Sequence, residues 1–222
     1  MAITKGNAHG SAVAYESVES EVRFFVNRKR FPSSSALFDA IRNTFALEIM
    51  KEYQFTDIYY RGPNERVARV RRWDRNTGIK RRALPIQVIE SESKTQDYKG
   101  IPFKVGAKKN VKEFDALRDA QQELEMNGFV YWMTISHSNG VHFRIIGGKT
   151  EKRVAIEQVT CTQGSSSWSS QMAELEVSSE DNDTVVKEIT EFADRFGIRN
   201  GEMLGASMAN IAEVTFKKKG LL

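Results

Sequence analysis

One cysteine, Cys161, stands in 222 residues. A lone thiol excludes an internal disulfide framework and any CxxC metal or redox pair. Histidine is nearly as scarce, and His9, His137 and His142 are too scattered for a zinc site of usual spacing. No apolar run approaches the roughly 20 residues that a membrane-spanning helix needs. Residues 1–10 lack the apolar segment of a secretory signal. The chain also has no internal repeat. These absences set the expectation of a reducing, intracellular, cytoplasmic setting with no membrane partner. Charge of one sign is in short supply as well: 33 basic against 29 acidic residues leave a net +4. A small positive balance permits an anionic partner without requiring one, so the information lies in how the charges are arranged.

What is present is a globular composition, 40% hydrophobic and 28% charged, at a length that suits one large domain or two small ones. Residues 1–16 are small and polar and read as a flexible arm. A strand is expected over 18–27. Ser33-Ser34-Ser35 reads as a helix cap, and Leu37, Ile41, Phe45 and Ile49 recur at helical spacing, which predicts a helix to about Tyr53. Strands are expected over 55–61, 66–73 and 79–92, with a turn at 74–78 and a break at Pro85. The Gly- and Lys-rich stretch 98–110 reads as a loop, and 111–126 as a polar helix ending at Asn127-Gly128. Four strands then follow, over 129–137, 141–147, 152–162 and 170–178, the first two joined by a tight turn at Ser138-Asn139-Gly140. A helix capped at Asp183-Thr184 runs to Phe196 and stops at Gly197. Residues 199–222 form an extension with room for one short helix. The count predicts an α+β chain: a closed antiparallel eight-stranded β-barrel over 17–198, with peripheral helices.

The strands carry charge on one face. In an extended chain residues i and i+2 share a face, so Glu19, Glu21 and Arg23 point one way and Val22, Phe24 and Val26 the other. Glu174 and Glu176 repeat the pattern near the end. Between them Arg69 and Arg71 pair on one face, as do Lys80 and Arg82. His142 and Arg144 alternate with Val141, Phe143 and Ile145, and Glu157 sits alone in an apolar strand. Amphipathic strands with one wet face account for each instance separately. If all the polar faces point into one barrel, the interior holds a carboxylate cluster opposite a ring of cations. Buried charges cost several kcal/mol each unless paired, so such an interior suits a ligand bearing both signs, such as a polyphosphate with Mg²⁺ or Mn²⁺. Arg69, Arg71 and Arg72 with nearby Tyr59, Tyr60 and Trp73 also fit a single-stranded nucleic-acid surface. Cys161, Phe129 and Trp132 read as core, His137 and His142 as structural or incidental, and Lys217–Lys219 as a solvated end.

These motifs together resemble the CYTH, or triphosphate tunnel metalloenzyme, superfamily. Glu19-x-Glu21-x-Arg23 resembles its opening ExExK, with arginine in place of lysine. Asp57-Ile58-Tyr59-Tyr60, Arg69-x-Arg71, Lys94, Arg144, the single acid Glu157 and the closing Glu174-x-Glu176 resemble its later elements, over about residues 18–197. Within the superfamily the likeness is to the metal-dependent RNA 5′-triphosphatases of viral and fungal mRNA capping, although residues 131–137 lack the basic residues of that group. The resemblance implies a tunnel holding a triphosphate lengthwise. Glu19, Glu21, Glu174 and Glu176 would bind Mg²⁺ or Mn²⁺. Glu157 would be catalytic, orienting or deprotonating water or helping to hold a second metal. Arg23, Arg69, Arg71, Lys80, Arg82, Lys94 and Arg144 would clamp phosphate. The implied substrate is an RNA 5′ end, a nucleoside triphosphate, thiamine triphosphate or inorganic tripolyphosphate. The implied alternatives are an adenylate cyclase of the same superfamily and a phosphate- or RNA-binding module without turnover.

Overall fold

The computed structural model describes residues 13–78 and 84–221, except for the side chains at 13–19, 91–93 and 107–109. In chain order the elements are β1 (Val13–Phe25), α1 (Ser34–Thr44), β2 (Ala46–Arg61), β3 (Val67–Asn76), β4 (Ile86–Tyr98), β5 (Ile101–Phe114), α2 (Leu117–Met126), β6 (Val130–Ile146), β7 (Glu151–Gln163), β8 (Ser166–Ser178), α3 (Asn182–Arg195) and α4 (Met208–Lys218). Each strand is hydrogen-bonded to two antiparallel neighbours, and the order β1-β5-β4-β3-β2-β6-β7-β8 returns to β1. The α+β class and the single antiparallel sheet are as expected.

Several local readings are corrected. The helix expected to reach Tyr53 stops at Thr44, and β2 begins at Ala46. Phe45 and Ile49 mimic a helical spacing, but from Tyr53 to Tyr59 every second residue is buried, and β2 gains hydrogen bonds from β6 along its length. Pairing with a neighbour outweighs the weak local preference for helix. The expected loop 98–110 is a hairpin: Lys99 and Gly100, at φ of 55° and 77°, make a two-residue turn, and Tyr98 pairs with Ile101. The helix expected from 111 starts only at Leu117, because 111–114 finish β5. The tight turn expected at 138–140 is a bulge inside the 17-residue β6, with Asn139 at φ 52° and the register shifting between Ser138 and Val141. Gly140 is required there, since a Cβ would sit 2.3 Å from Cε2 of Tyr53. The expected arm also ends sooner, since β1 starts at Val13.

The helices cover the ring's outer faces. Ser33 caps α1, its side chain accepting from Ala36 N at 3.1 Å. Asp181, two residues before the cap expected at Asp183, caps α3. Leu37 and Ile41 of α1 and Val185, Ile189 and Phe192 of α3 pack on Phe24, Phe143, Val154 and Leu175. Leu124 of α2 packs on Tyr60, Val70 and Val88. Each such fully buried apolar side chain contributes about 1.5–3 kcal/mol.

The inner faces change chemistry along the strands. On β7 Glu157 shares a face with Val159 and Cys161, on β8 Glu174 with Met172, and on β6 His137 with Ile135 and Met133. The apolar members of these stripes pack with Trp168 and with Met208, Ile211, Ala212 and Phe216 of α4. The C-terminal segment is therefore part of the same core. It is tied further by Arg23 and Leu204, whose backbones exchange hydrogen bonds at 3.0 and 2.8 Å.

Candidate functional site

The remaining, polar part of the interior is a cavity of about 1170 Å³. The register of β1 with β8 sets Glu21 opposite Glu176 and Arg23 opposite Glu174. One carboxylate oxygen from each of Glu21, Glu174 and Glu176 lies within 4.8 Å of the others. Glu21 is 3% exposed. Its Oε2 accepts from Lys104 Nζ and from Arg23, both at 2.8 Å. Arg23 also pairs with Glu174 and donates to the Ala206 carbonyl at 3.0 Å. One guanidinium thus braces two carboxylates and the C-terminal segment.

The three acids do not titrate alike. Burial, reinforced by Glu21 and Glu176 and only partly offset by Arg23, pushes Glu174 up to about 8. Burial acts on Glu176 too, but His142, whose Nε2 stands 3.7 Å from Oε2, outweighs it and holds the group below its usual range.

Across the cavity, Asp57 organises the cations. It is 1% exposed and accepts two bonds from Arg71, both 2.8 Å, with Arg69 Nε at 3.3 Å. Burial alone raises its pKa, yet these two guanidinium groups bring it below the usual carboxylate range. Arg71 lies over Phe55 at 3.8 Å, and Arg69 donates to the Tyr59 hydroxyl at 3.3 Å. The two arginines are therefore held in fixed directions, with donors left over for an anion. Lys94 is exposed on the cavity, and Lys51 lines it without an ion pair among the described residues. Burial and then the neighbouring Arg71 lower the Lys51 pKa, a sign that positive charge is crowded there.

Glu157 is held at both oxygens. The Tyr53 hydroxyl donates to Oε2 at 2.7 Å, and His137 Nδ1 is 2.9 Å from Oε1. His137 stacks on Phe55 at 4.2 Å. Burial would raise the Glu157 pKa, but His137 and the Tyr53 hydrogen bond lower it overall, so the group is ionised at neutral pH.

Glu21, Arg23, Arg69, Arg71, Lys94, Glu157, Glu174 and Glu176 therefore meet in one cavity. Arg144 does not, which corrects its expected role. Two residues beyond His142, about 7 Å farther along the strand, it is exposed and donates to Glu48 at 3.0 Å. Lys80 and Arg82 lie outside the described residues, as does the side chain of Glu19, whose backbone pairs with Ser178 and Gly106. The helix reading of 45–53 hid Lys51 and Tyr53, and the loop reading of 98–110 hid Lys104, although Ile101, Phe103 and Val105 alternate with it. His137 and His142, read as structural or incidental, both line the cavity. Five positions apart, they would occupy opposite faces of a regular strand; the bulge between them turns both inward.

Among the described residues no helix is long and apolar enough to cross a membrane. No protein-family model matches the chain, and no curated protein matches it. Solved structures do. A conserved hypothetical protein of Pyrococcus furiosus is 17% identical with a TM-score of 0.56, over 86% of this chain and 98% of that one. The mimivirus capping enzyme triphosphatase is 12% identical with a TM-score of 0.52, over 82% and 90%. A chain of the Schizosaccharomyces pombe Mediator head module is 10% identical with a TM-score of 0.52, over 80% and 95%. Likeness at such identities is likeness of fold: the chain shares its fold with these structures, which is consistent with the superfamily that its strand motifs resemble.

Proposed function

We propose that the chain is a divalent-metal-dependent phosphohydrolase that removes the terminal phosphate of a triphosphate lying in a tunnel through a closed β-barrel. The observation that carries this reading is the facing of two sets in one cavity: three carboxylates with oxygens within 4.8 Å, and the Asp57-braced pair Arg69 and Arg71. Three hard oxygen donors fit Mg²⁺ or Mn²⁺, with Glu19 as a fourth candidate on the same face of β1. When bound, such an ion neutralises phosphate charge and acidifies its water.

The chain's own residues supply the rest. Arg69, Arg71, Lys94, Lys51 and Lys104 offer donors to phosphate oxygens. Arg23 keeps Glu21 and Glu174 converged. Glu157, ionised and held at both oxygens, orients water by accepting a hydrogen bond. Positioning and charge neutralisation account for most of phosphoryl-transfer catalysis. Residues 17–198 form the tunnel unit, and 199–222 complete it at its apolar end.

The fold neighbour named as a capping enzyme triphosphatase supports an RNA 5′ end as substrate. A second reading is a module without turnover: a chain of the Mediator head module shares this fold, and one fold can host unrelated functions. Incubation with tripolyphosphate, ATP and triphosphate-ended RNA, each with Mg²⁺ or Mn²⁺, tests both. Release of orthophosphate, abolished in Glu174→Ala and Glu176→Ala variants that retain their fold, supports the hydrolase. Pyrophosphate with cyclic AMP identifies a cyclase. Binding without product identifies the module.

A further inference from the structure

We propose that Trp73 is a stacking platform for the base of the substrate, so that the triphosphate belongs to a nucleoside or an RNA 5′ end and not to inorganic polyphosphate. This rests on the hydrolase reading and names its substrate class. Arg69, Arg71 and Trp73 share a face of β3, so the indole follows directly on the two guanidinium groups of the anion-binding wall. It is half-buried on the cavity, whereas Trp132 and Trp168 are each 6% exposed and pack in the apolar end.

The ring is held before any ligand arrives. Its Nε1 donates to Gln87 Oε1 at 3.0 Å, and Phe55 meets it edge-on at 4.9 Å between centroids. A fixed aromatic surface loses little freedom when a base stacks on it. Two cations stand over it: the Arg71 guanidinium carbon is 5.1 Å and Lys51 Nζ 6.0 Å from the ring centroid. Lys51 has no ion pair among the described residues. It also begins a row of register partners, Lys51, His142, Ala155 and Glu174, that leads along the wall to the carboxylate cluster. A triphosphate with its terminal phosphate at that cluster reaches Lys51 with its other end, and whatever it carries there meets Trp73. An inorganic chain has nothing to lay on an indole, whereas a base does, and stacking accepts every base because each has a π-face.

The test compares Trp73→Ala and Trp73→Phe with the wild type on triphosphate-ended RNA, ATP and tripolyphosphate, each with Mn²⁺. Loss of the indole is expected to raise KM for RNA and ATP about tenfold more than for tripolyphosphate. The phenylalanine variant restores most of that selectivity, which a merely structural role does not explain. Quenching of indole fluorescence by ADP and by tripolyphosphate reads binding without turnover, and only the nucleotide is expected to quench. Equal losses on all three substrates, or none on any, overturn the platform. A wild type that hydrolyses none of the three removes the hydrolase reading, and the quenching then decides the platform separately: it stands if ADP quenches and falls if ADP does not.

Discussion

The unequal titration of the three clustered acids has a consequence that calorimetry can read. Glu174, pushed up to about 8 in the metal-free protein, is mostly protonated at pH 7. A carboxylate must lose its proton to ligate a cation. One pKa unit is worth 1.36 kcal/mol, so displacing that proton costs on the order of 1 kcal/mol at pH 7 and on the order of 3 kcal/mol at pH 6. The apparent affinity for Mn²⁺ should therefore rise about tenfold per pH unit from roughly 5 to 8 and level off above it, with close to one proton released per ion at pH 7. Isothermal titration in two buffers of different ionisation heat counts that proton directly. Glu174→Gln should flatten the slope.

The same shift sets the stability of the metal-free protein. The native pKa lies above the unfolded value of 4.5, so between about 4.5 and 8 the native state holds a proton that the unfolded state has lost. Stability then falls as pH rises through that window, by at most on the order of 5 kcal/mol. Glu157, Glu176 and Asp57 are shifted down, so their contribution is present above their unfolded values and is lost only as pH falls below about 4. Metal-free stability should peak near pH 5, and Mn²⁺ should raise Tm more at pH 8 than at pH 6. An Mn²⁺ affinity independent of pH between 6 and 8, with no buffer-dependent heat, would refute this account of the cluster.

Four substitutions probe other parts of the molecule. Gly140→Ala places a methyl 2.3 Å from the Tyr53 ring; chemical denaturation should show a loss of about 1–3 kcal/mol, and the displaced hydroxyl should release Glu157 and lower kcat. Arg71→Ala leaves buried Asp57 without its bidentate partner and should cost about 3–5 kcal/mol. Arg144→Ala removes an exposed pair worth at most about 1 kcal/mol and should leave phosphate release unchanged. Phe216→Ala opens a cavity between α4 and the apolar end of the interior and should cost about 3–5 kcal/mol, read as a fall in Tm of roughly 2–4 °C for each kcal/mol.

How much of the site could be read in advance varies residue by residue. Glu21, Arg23, Arg69, Arg71, Glu157, Glu174 and Glu176 were legible because each lies in a strand whose two-residue alternation is written in neighbouring apolar residues. Lys51, Tyr53 and Lys104 were not, because their strands carry local signals for helix or loop that only pairing with β6, β4 and β1 overrides. Arg144 failed for the opposite reason: alternation gave its face correctly but says nothing of how far along the strand the cavity extends.

The amino-acid order by itself determined which side of each regular strand is charged, because side-chain direction follows from chain geometry one residue at a time. Tertiary structure alone decided the rest: which strands are neighbours, that one bulge brings two histidines of opposite parity inward, and that α4 packs at the apolar end of the interior. Those outcomes depend on register and on contacts between residues far apart in the chain, and no local pattern encodes a distance between two strands.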